Sequence, residues 1–262
     1  METSLAPALM SDGEWAFFER FILTVSAPNG LKPTNHRLVP DGIFRIVCPG
    51  APWRDLPEAF GEWSSLCRHI RRWTVAGPWE QIMHALNESG AVLHALQMID
   101  GTEGDAHHQA AGAPRGSPRQ GLGRSPSGFA TRIHLLVNAA GLPMRTEIPA
   151  GQGSDYPGFD PVIAETLPAP SVLLADRGQD ADIIRKSNSR RAVLPVIPMR
   201  QSRRMRVGID RSPDRRRNPV ERCFNKSKNA RRAATRCDRT AERFVAVVDI
   251  TSIRPWLRQL AT

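Results

Sequence analysis

The sequence predicts an α/β protein in which a mixed sheet flanked by helices follows a small helical domain. Three observations predict this fold class. Apolar residues recur at helical spacing up to about residue 92, the spacing then becomes that of strands, and strands alternate with helices from there onward. The predicted domains are therefore a helical domain at 1–92 and a sheet domain at 93–262.

The composition restricts the class of protein. Of 262 residues, 40% are hydrophobic, which is enough for a buried core. No apolar run approaches the roughly eighteen residues of a membrane span, and no signal peptide is expected at the start. Cys48, Cys67, Cys223 and Cys237 form no CxxC pair, which argues against a structural zinc site or a disulfide framework. We expect a basic globular protein of the reducing cytoplasm, without a membrane partner.

The positive charge is concentrated in one segment. The chain carries a formal net charge of +10, and residues 199–243 contain sixteen Lys and Arg against five Asp and Glu. A charge block can be a solvated tail, but Val220, Cys223 and Phe224 interrupt this one. They favour a helix that is buried on one side and basic on the other. Such a surface suits a polyanionic partner.

The first part of the chain predicts helices. Ser11 or Asp12 would cap the first helix, a second is predicted between Pro40 and Gly50, and a third follows Phe60. The third helix either enters a DNA groove or belongs to an ordinary helical domain and exposes its basic face to solvent. Both interpretations stay open. Its basic residues are Arg68, Arg71 and Arg72.

The second part predicts the sheet. An apolar strand ends at Asp100-Gly101, and a segment rich in Gly, Pro and Ser follows, so 112–128 is predicted to be a flexible loop. Further strands are predicted at 129–137, 143–148, 171–175 and 193–197, with helices at 160–167 and 182–190 and one more helix near the end.

Two aspartates share a local context. Asp100 and Asp176 each end an apolar run shortly before a glycine. Carboxylates at the carboxyl ends of neighbouring strands point into the crevice where open sheets bind ligands, and they suit a hard divalent cation. For each aspartate taken alone, ordinary turn chemistry is the better explanation.

Glu221 is the third candidate acid. Asn218 to Glu221 match the start of a capped helix, so Glu221 could simply complete a capping box. From Glu221, however, the positions of Asn225, Lys228 and Arg232 fall on one helix face, which is polar and basic. Three acids from separate elements beside a basic helix are what two-metal phosphoryl transfer requires.

Several stretches occur in order along the chain: GAPWRDLP at 50–57, FGEW at 60–63, AHHQAAGA at 106–113, GLGRSPSGFATRIHLLV at 121–137, ADRG at 175–178 and NPVERCFNKSK at 218–228. Together they resemble the DDE transposases of the bacterial insertion sequence 5 family. The resemblance covers nearly the whole chain, and the order of its motifs is more specific than any single motif. It implies a ribonuclease-H-like catalytic domain at 93–262 behind a DNA-binding helical domain at 1–92.

The resemblance also implies an activity. The protein would bind the terminal inverted repeats of an insertion sequence and carry out DNA strand cleavage and strand transfer that depends on two Mg²⁺ (or Mn²⁺) ions. Asp100, Asp176 and Glu221 would be its catalytic, metal-binding triad. Of the family signature Tyr-x₂-Arg-x₃-Glu-x₆-Lys, the chain has the arginine, the glutamate and the lysine. The residues expected to contact DNA are Arg217 and Lys228 and, with weaker support, Arg222, Arg231 and Arg232.

The expected partners are double-stranded DNA, as inverted repeats and as target, and a second copy of the chain on that DNA. No small-molecule cofactor is expected, and the protein would be associated with the nucleoid. The chain departs from the family pattern at Gln179, Asp214, Ser227 and Pro255. These departures leave an alternative open, an inactive remnant that only binds DNA. A metal-dependent phosphohydrolase is less favoured, because the basic excess of 199–243 is larger than a small phosphate requires.

Overall fold

A computed structural model describes residues 9–25, 35–89, 94–111, 120–125, 128–149, 169–199, 201 and 218–260. Its helices are α1 Asp12–Ile22, α2 Leu38–Val47, α3 Trp63–Ala76, α4 Pro78–Glu88, α5 Asp182–Arg190, α6 Asn218–Lys228, α7 Arg231–Ala234 and α8 Ala241–Leu260. Its strands are β1 Leu96–Ala106, β2 Gly123–Ser125, β3 Gly128–Asn138, β4 Pro143–Glu147, β5 Val172–Ala175, β6 Leu194–Val196 and β7 Thr235–Arg236. None of the described helices combines the length and hydropathy that crossing a bilayer requires.

Local sequence signals set the bounds of the N-terminal helices. Ser11 caps α1, since its hydroxyl accepts a hydrogen bond from the Glu14 N–H while the Glu14 carboxylate accepts one from the Ser11 N–H. Gly77 ends α3 in the left-handed region, at φ 78°, and Pro78 opens α4 directly after it. The helical prediction for this part of the chain is confirmed in the described residues.

The sheet is mixed, as predicted. Its strands run in the order β2-β3-β1-β5-β6, with β4 paired to β3 and β7 paired to β1. The pairs among β1, β2, β3 and β4 are antiparallel, whereas β5 is parallel to β1 and β6 is parallel to β5. The strand predictions near β3, β4, β5 and β6 and the helix prediction at 182–190 are confirmed.

Two expectations about loops were wrong. Asp100-Gly101 does not end the first strand, because β1 stays paired with β3 as far as Asp105. Within the predicted loop 112–128, Gly123–Ser125 form a short strand on β3, and Leu122 beside it is 3% exposed. Pairing with β3 outweighs glycine's weak strand preference in both places, across about thirty residues for β1 and across a two-residue connection for β2. Residues 112–119 and 126–127 of that loop and the predicted helix 160–167 lie outside the described residues.

One core joins the helical part to the sheet. Helix α8 contacts all four N-terminal helices and also packs on β4. Its residues Ile253, Trp256 and Leu257 are at most 1% exposed, and they belong to the same cluster as Phe18 and Trp73. The helix continues through Pro255. Burial of its neighbours therefore offsets the roughly 3 kcal/mol that a proline costs inside a helix.

Asp249 on α8 gives the stability of the protein a pH dependence. Burial is the main cause that raises the pKa of its carboxyl to about 7; the carboxylates of Glu147 and Glu80 contribute, and a hydrogen bond with Thr146 opposes the shift. Because this pKa lies above the unfolded value, the contribution to stability is complete at pH 4 and is lost as the pH rises through 7. We expect Asp249→Asn to match the wild type at pH 4 and to exceed its free energy of unfolding by about 1–3 kcal/mol at pH 8.

Urea unfolding of the wild type and of Asp249→Asn between pH 4 and pH 8 measures this difference in the free energy of unfolding. The titration of other groups is the same in both proteins and cancels in the difference. A constant difference across that range would contradict the assignment.

Candidate functional site

Two of the predicted acids lie side by side. The parallel pairing of β1 with β5 reaches Ile99 opposite Ala175, and the next residue in each case is an aspartate, Asp100 within β1 and Asp176 directly after the end of β5. Asp100 and Asp176 therefore occupy adjacent positions on neighbouring strands, whose backbones are about 5 Å apart. We call them the acidic pair. Each accepts a hydrogen bond on Oδ1 from the backbone N–H that follows it, at 2.7 Å for Asp100 and 2.6 Å for Asp176.

The alternation of side chains places the acidic pair on a definite face of the sheet. Ile99 and Ala175 belong to the cluster that α5 covers through Ile184. The residues before them, Met98 and Leu174, belong to the cluster on the other face. Since strand residues alternate between faces, the acidic pair lies on the face of Met98 and Leu174.

Helix α6 packs on that same face. Its apolar side consists of Val220, Cys223 and Phe224, which cluster with Met98 and Leu174. This confirms the predicted helix with one buried side. Glu221 lies in the first turn of α6 and is exposed. The three predicted acids thus belong to one face of the sheet and the helix that covers it.

Lys228 fixes the far end of α6 to β1. Its Nζ donates a hydrogen bond to Oγ1 of Thr102 at 2.9 Å and to the carbonyl oxygen of Glu103 at 3.4 Å. Thr102 is two residues after Asp100 and so lies on the same face. The predicted DNA-contacting lysine therefore places its charge on the strand that carries Asp100. Sequence reasoning missed Thr102, because nothing near it in sequence marks it as a partner of Lys228.

The acidic pair has the right donors for a divalent cation, since carboxylate oxygens are what Mg²⁺ and Mn²⁺ take. Among the described residues, however, no group of three or more His, Cys, Asp or Glu side chains is arranged to hold a metal ion. The structure therefore brings Asp100 and Asp176 together and leaves Glu221 outside a shared metal-binding group.

The basic candidates separate into different roles. Arg222 is exposed on α6, and Arg231 is exposed on α7, where its backbone N–H donates to the Cys48 carbonyl. Arg232 does not share the helix face of Glu221, because α6 ends at Lys228 and the chain turns before α7. Its guanidinium bonds Asp238 at 3.2 Å and lies 5.3 Å from the Trp53 ring centroid, so it is engaged within the protein. Arg217 lies outside the described residues.

The thiol of Cys223 is poorly suited to act as a nucleophile. The side chain is 4% exposed, and burial raises its pKa to about 11. A thiol with this pKa is almost entirely protonated at neutral pH, and the thiolate is the reactive form. Cys223 therefore belongs to the packing of α6, as its position in the sequence predicts.

Comparison with known proteins defines the class of protein. Residues 10–83 match the family model described as "Putative transposase of IS4/5 family". The "Putative transposase for insertion sequence element IS6501" of Brucella ovis is 33% identical over 132 residues, which cover 49% of this chain and 98% of that protein. "Uncharacterized protein y4sN" of Sinorhizobium fredii is 34% identical over 111 residues, covering 40% of this chain and 83% of that protein.

A solved structure of a piggyBac transposase synaptic complex with hairpin DNA is also similar. Its TM-score is 0.41 and its sequence identity 12%, over 96% of this chain and 67% of that one. The sequence matches place the chain among transposase proteins of insertion sequences. Within that class, it belongs to the IS4/5 family.

Proposed function

We propose that this member of the transposase family is a DDE-type enzyme that cuts DNA at the ends of an insertion sequence and joins those ends to target DNA. The observation that carries the proposal is the register of β1 and β5, which makes Asp100 and Asp176 neighbours on the face that α6 covers. Glu221 supplies a third carboxylate from the first turn of α6. We further propose that 93–262 has the ribonuclease-H-like arrangement of a mixed sheet flanked by helices.

DNA binding is proposed from the charge around these acids. The side of α6 that faces away from the sheet carries Arg222 and Lys226 in exposed positions, and Lys228 lies beside Thr102. Cations in such a row neutralise successive phosphates and release counterions, so binding would weaken as salt increases. Arg217 and Arg231 would extend this surface. The N-terminal helical domain is proposed to bind the inverted repeats, and a second copy of the chain would hold the other end.

Mg²⁺ or Mn²⁺ would be held first by the acidic pair. Such an ion stabilises the negative charge that develops on the phosphodiester under attack. Glu221 would complete the site from the first turn of α6. In that arrangement Lys228 would hold a phosphate next to the acids and so orient the strand to be cut.

The test is cleavage of a duplex that carries the element's own end, with and without Mg²⁺, by the wild type and by Glu221→Gln. We expect nicks at the end with the wild type and none with Glu221→Gln, whose DNA affinity should be unchanged within about threefold, as a neutral amide removes no phosphate contact. The matched control is Glu242→Gln, the same change at an exposed acid of α8, which should cut normally. Normal cutting by Glu221→Gln would rule out the proposed triad.

The second candidate function is DNA binding without catalysis. It is favoured by one observation, that the three acids do not converge into a metal-binding group among the described residues. It predicts binding that weakens with salt, together with no Mg²⁺-dependent nicks from the wild type on any end fragment.

A further inference from the structure

A cavity of about 310 Å³ lies between α4, β4 and α8 and shares no lining residue with the acidic pair. A volume of this size holds a small organic group and exceeds what one or two water molecules occupy. Its lining residues are Glu80, Met83 and His84 from α4, Met144, Arg145, Thr146 and Glu147 from β4, and Val245 and Asp249 from α8.

Three carboxylates from three elements face this cavity. Asp249 is the most deeply placed, and burial raises its pKa to about 7. Glu147 and Glu80 contribute to that raised pKa, whereas a hydrogen bond with Thr146 and, least of all, the charge of Arg145 oppose it. Arg145 is itself bonded to Glu147, from Nε to Oε1 at 3.1 Å. The carboxylates on the wall therefore outnumber the cations that compensate them.

A buried threonine lies beside the Asp249 carboxyl. Thr146 is 6% exposed, and its hydroxyl oxygen is itself buried. A side-chain hydrogen bond between Thr146 and Asp249 partly offsets the raised pKa of that carboxyl. Thr146 therefore helps to position Asp249 on the cavity wall, and the groups that face a ligand are the carboxylates.

The rest of the wall is apolar. Met83, Met144 and Val245 line it, and Met83 and Met144 are 5% and 1% exposed. Methionine side chains adapt to alkyl groups of different shape. The cavity thus offers both an apolar surface for methylene groups and nearby carboxylates for a positive charge. Within the described residues, these carboxylates are not arranged as the metal-binding group that a bare cation would need.

We infer that this cavity binds an organic cation with an apolar stem, namely a guanidinium or primary ammonium group on an alkyl chain. The charged head contacts Asp249 and Glu80, while the stem lies against the methionines. Two sources have this chemistry, a free alkylamine and an arginine or lysine side chain from a second copy of this basic chain.

The test is calorimetric titration of the full chain with n-butylguanidinium, whose charge is constant across the useful pH range. We expect binding at pH 8 that weakens about tenfold at pH 6, because a carboxyl of pKa about 7 is mostly ionised at the first pH and mostly protonated at the second. Asp249→Asn should weaken binding at pH 8 at least about tenfold and remove most of the pH dependence. His84→Gln measures how much of the pH dependence of binding comes from the imidazole on the same wall.

Glu80→Gln removes a second carboxylate of the cavity at an exposed position, where folding is not at risk. Glu242→Gln is the matched control on α8. Glu80→Gln should weaken binding and Glu242→Gln should not. The proposal is overturned if the wild type fails to bind butylguanidinium at millimolar concentration, if Asp249→Asn binds as well as the wild type, or if Mn²⁺ alone binds there instead.

Sedimentation velocity distinguishes the two sources. If the cavity receives a side chain from a second copy, butylguanidinium and Asp249→Asn should both reduce self-association of the chain. If the sedimentation coefficient is the same in every case while butylguanidinium still binds, the natural ligand is a free alkyl cation. The proposal does not depend on the catalytic activity, so it can fail or stand independently of DNA cleavage.

Discussion

Asp176→Asn is expected to abolish metal-dependent DNA cleavage and to leave DNA affinity nearly unchanged. Asp176 lies next to Asp100 on the neighbouring strand, so the amide would replace one of the two carboxylates on which a divalent cation would bind. Several kcal/mol of transition-state stabilisation depend on such an ion, which corresponds to at least about a thousandfold loss in the cleavage rate. Single-turnover cleavage of an end fragment measures the rate.

The matched control is Asp182→Asn, the same change at an exposed acid of α5, which packs on the opposite face of the sheet. It should cut at the wild-type rate. Equal rates for Asp176→Asn and the control would show that the acidic pair does not take part in cleavage.

A double variant tests whether the two aspartates act as one site. If both hold the same ion, Asp100→Asn with Asp176→Asn should be no slower than the slower single variant, because residues that act as a unit are strongly non-additive. Mn²⁺ binding followed by electron paramagnetic resonance gives a readout that does not need activity, and each single variant should lose it. Multiplicative losses in rate would point to two separate roles.

The neighbourhood of the acidic pair could be predicted only in part from the sequence. Apolar runs that end in Asp100 and Asp176 mark both residues, because buried strands leave a clear pattern. Their adjacency depends on the pairing of strands 76 residues apart, and no local pattern encodes that register. The continuation of β1 beyond Gly101 depends in the same way on its pairing with β3.

The prediction that Arg232 shares the helix face of Glu221 was wrong for a related reason. Helix-face arithmetic assumes that the helix continues, but α6 ends at Lys228. The chain then turns, and the Arg231 N–H bonds the Cys48 carbonyl from the N-terminal part. A contact with a residue so far away in sequence is tertiary, so spacing alone could not reveal it. The cavity at Asp249 was missed for the same reason, since its walls come from three separated elements.

Trp256→Ala is expected to destabilise the whole protein by about 3–5 kcal/mol, the usual cost of removing a buried aromatic side chain. Trp256 is 0% exposed, and its Nε1 donates to the Pro143 carbonyl of β4 at 2.5 Å. It lies in the core that α8 shares with the N-terminal helices. Its loss should therefore weaken the helical part and the sheet together.

Urea unfolding measured by far-UV circular dichroism and by tryptophan fluorescence tests both parts of this expectation. Trp73 and Trp79 are buried in the N-terminal helices and dominate the fluorescence change there, so the two signals should shift together. Trp256→Phe keeps most of the buried area and loses the hydrogen bond, so it should lower the free energy of unfolding by about 1 kcal/mol. Trp63→Ala, at a side chain 37% exposed, is the control and should cost clearly less than Trp256→Ala. Separate transitions in the two signals would show that the helical part and the sheet unfold independently, which a shared core on α8 does not allow.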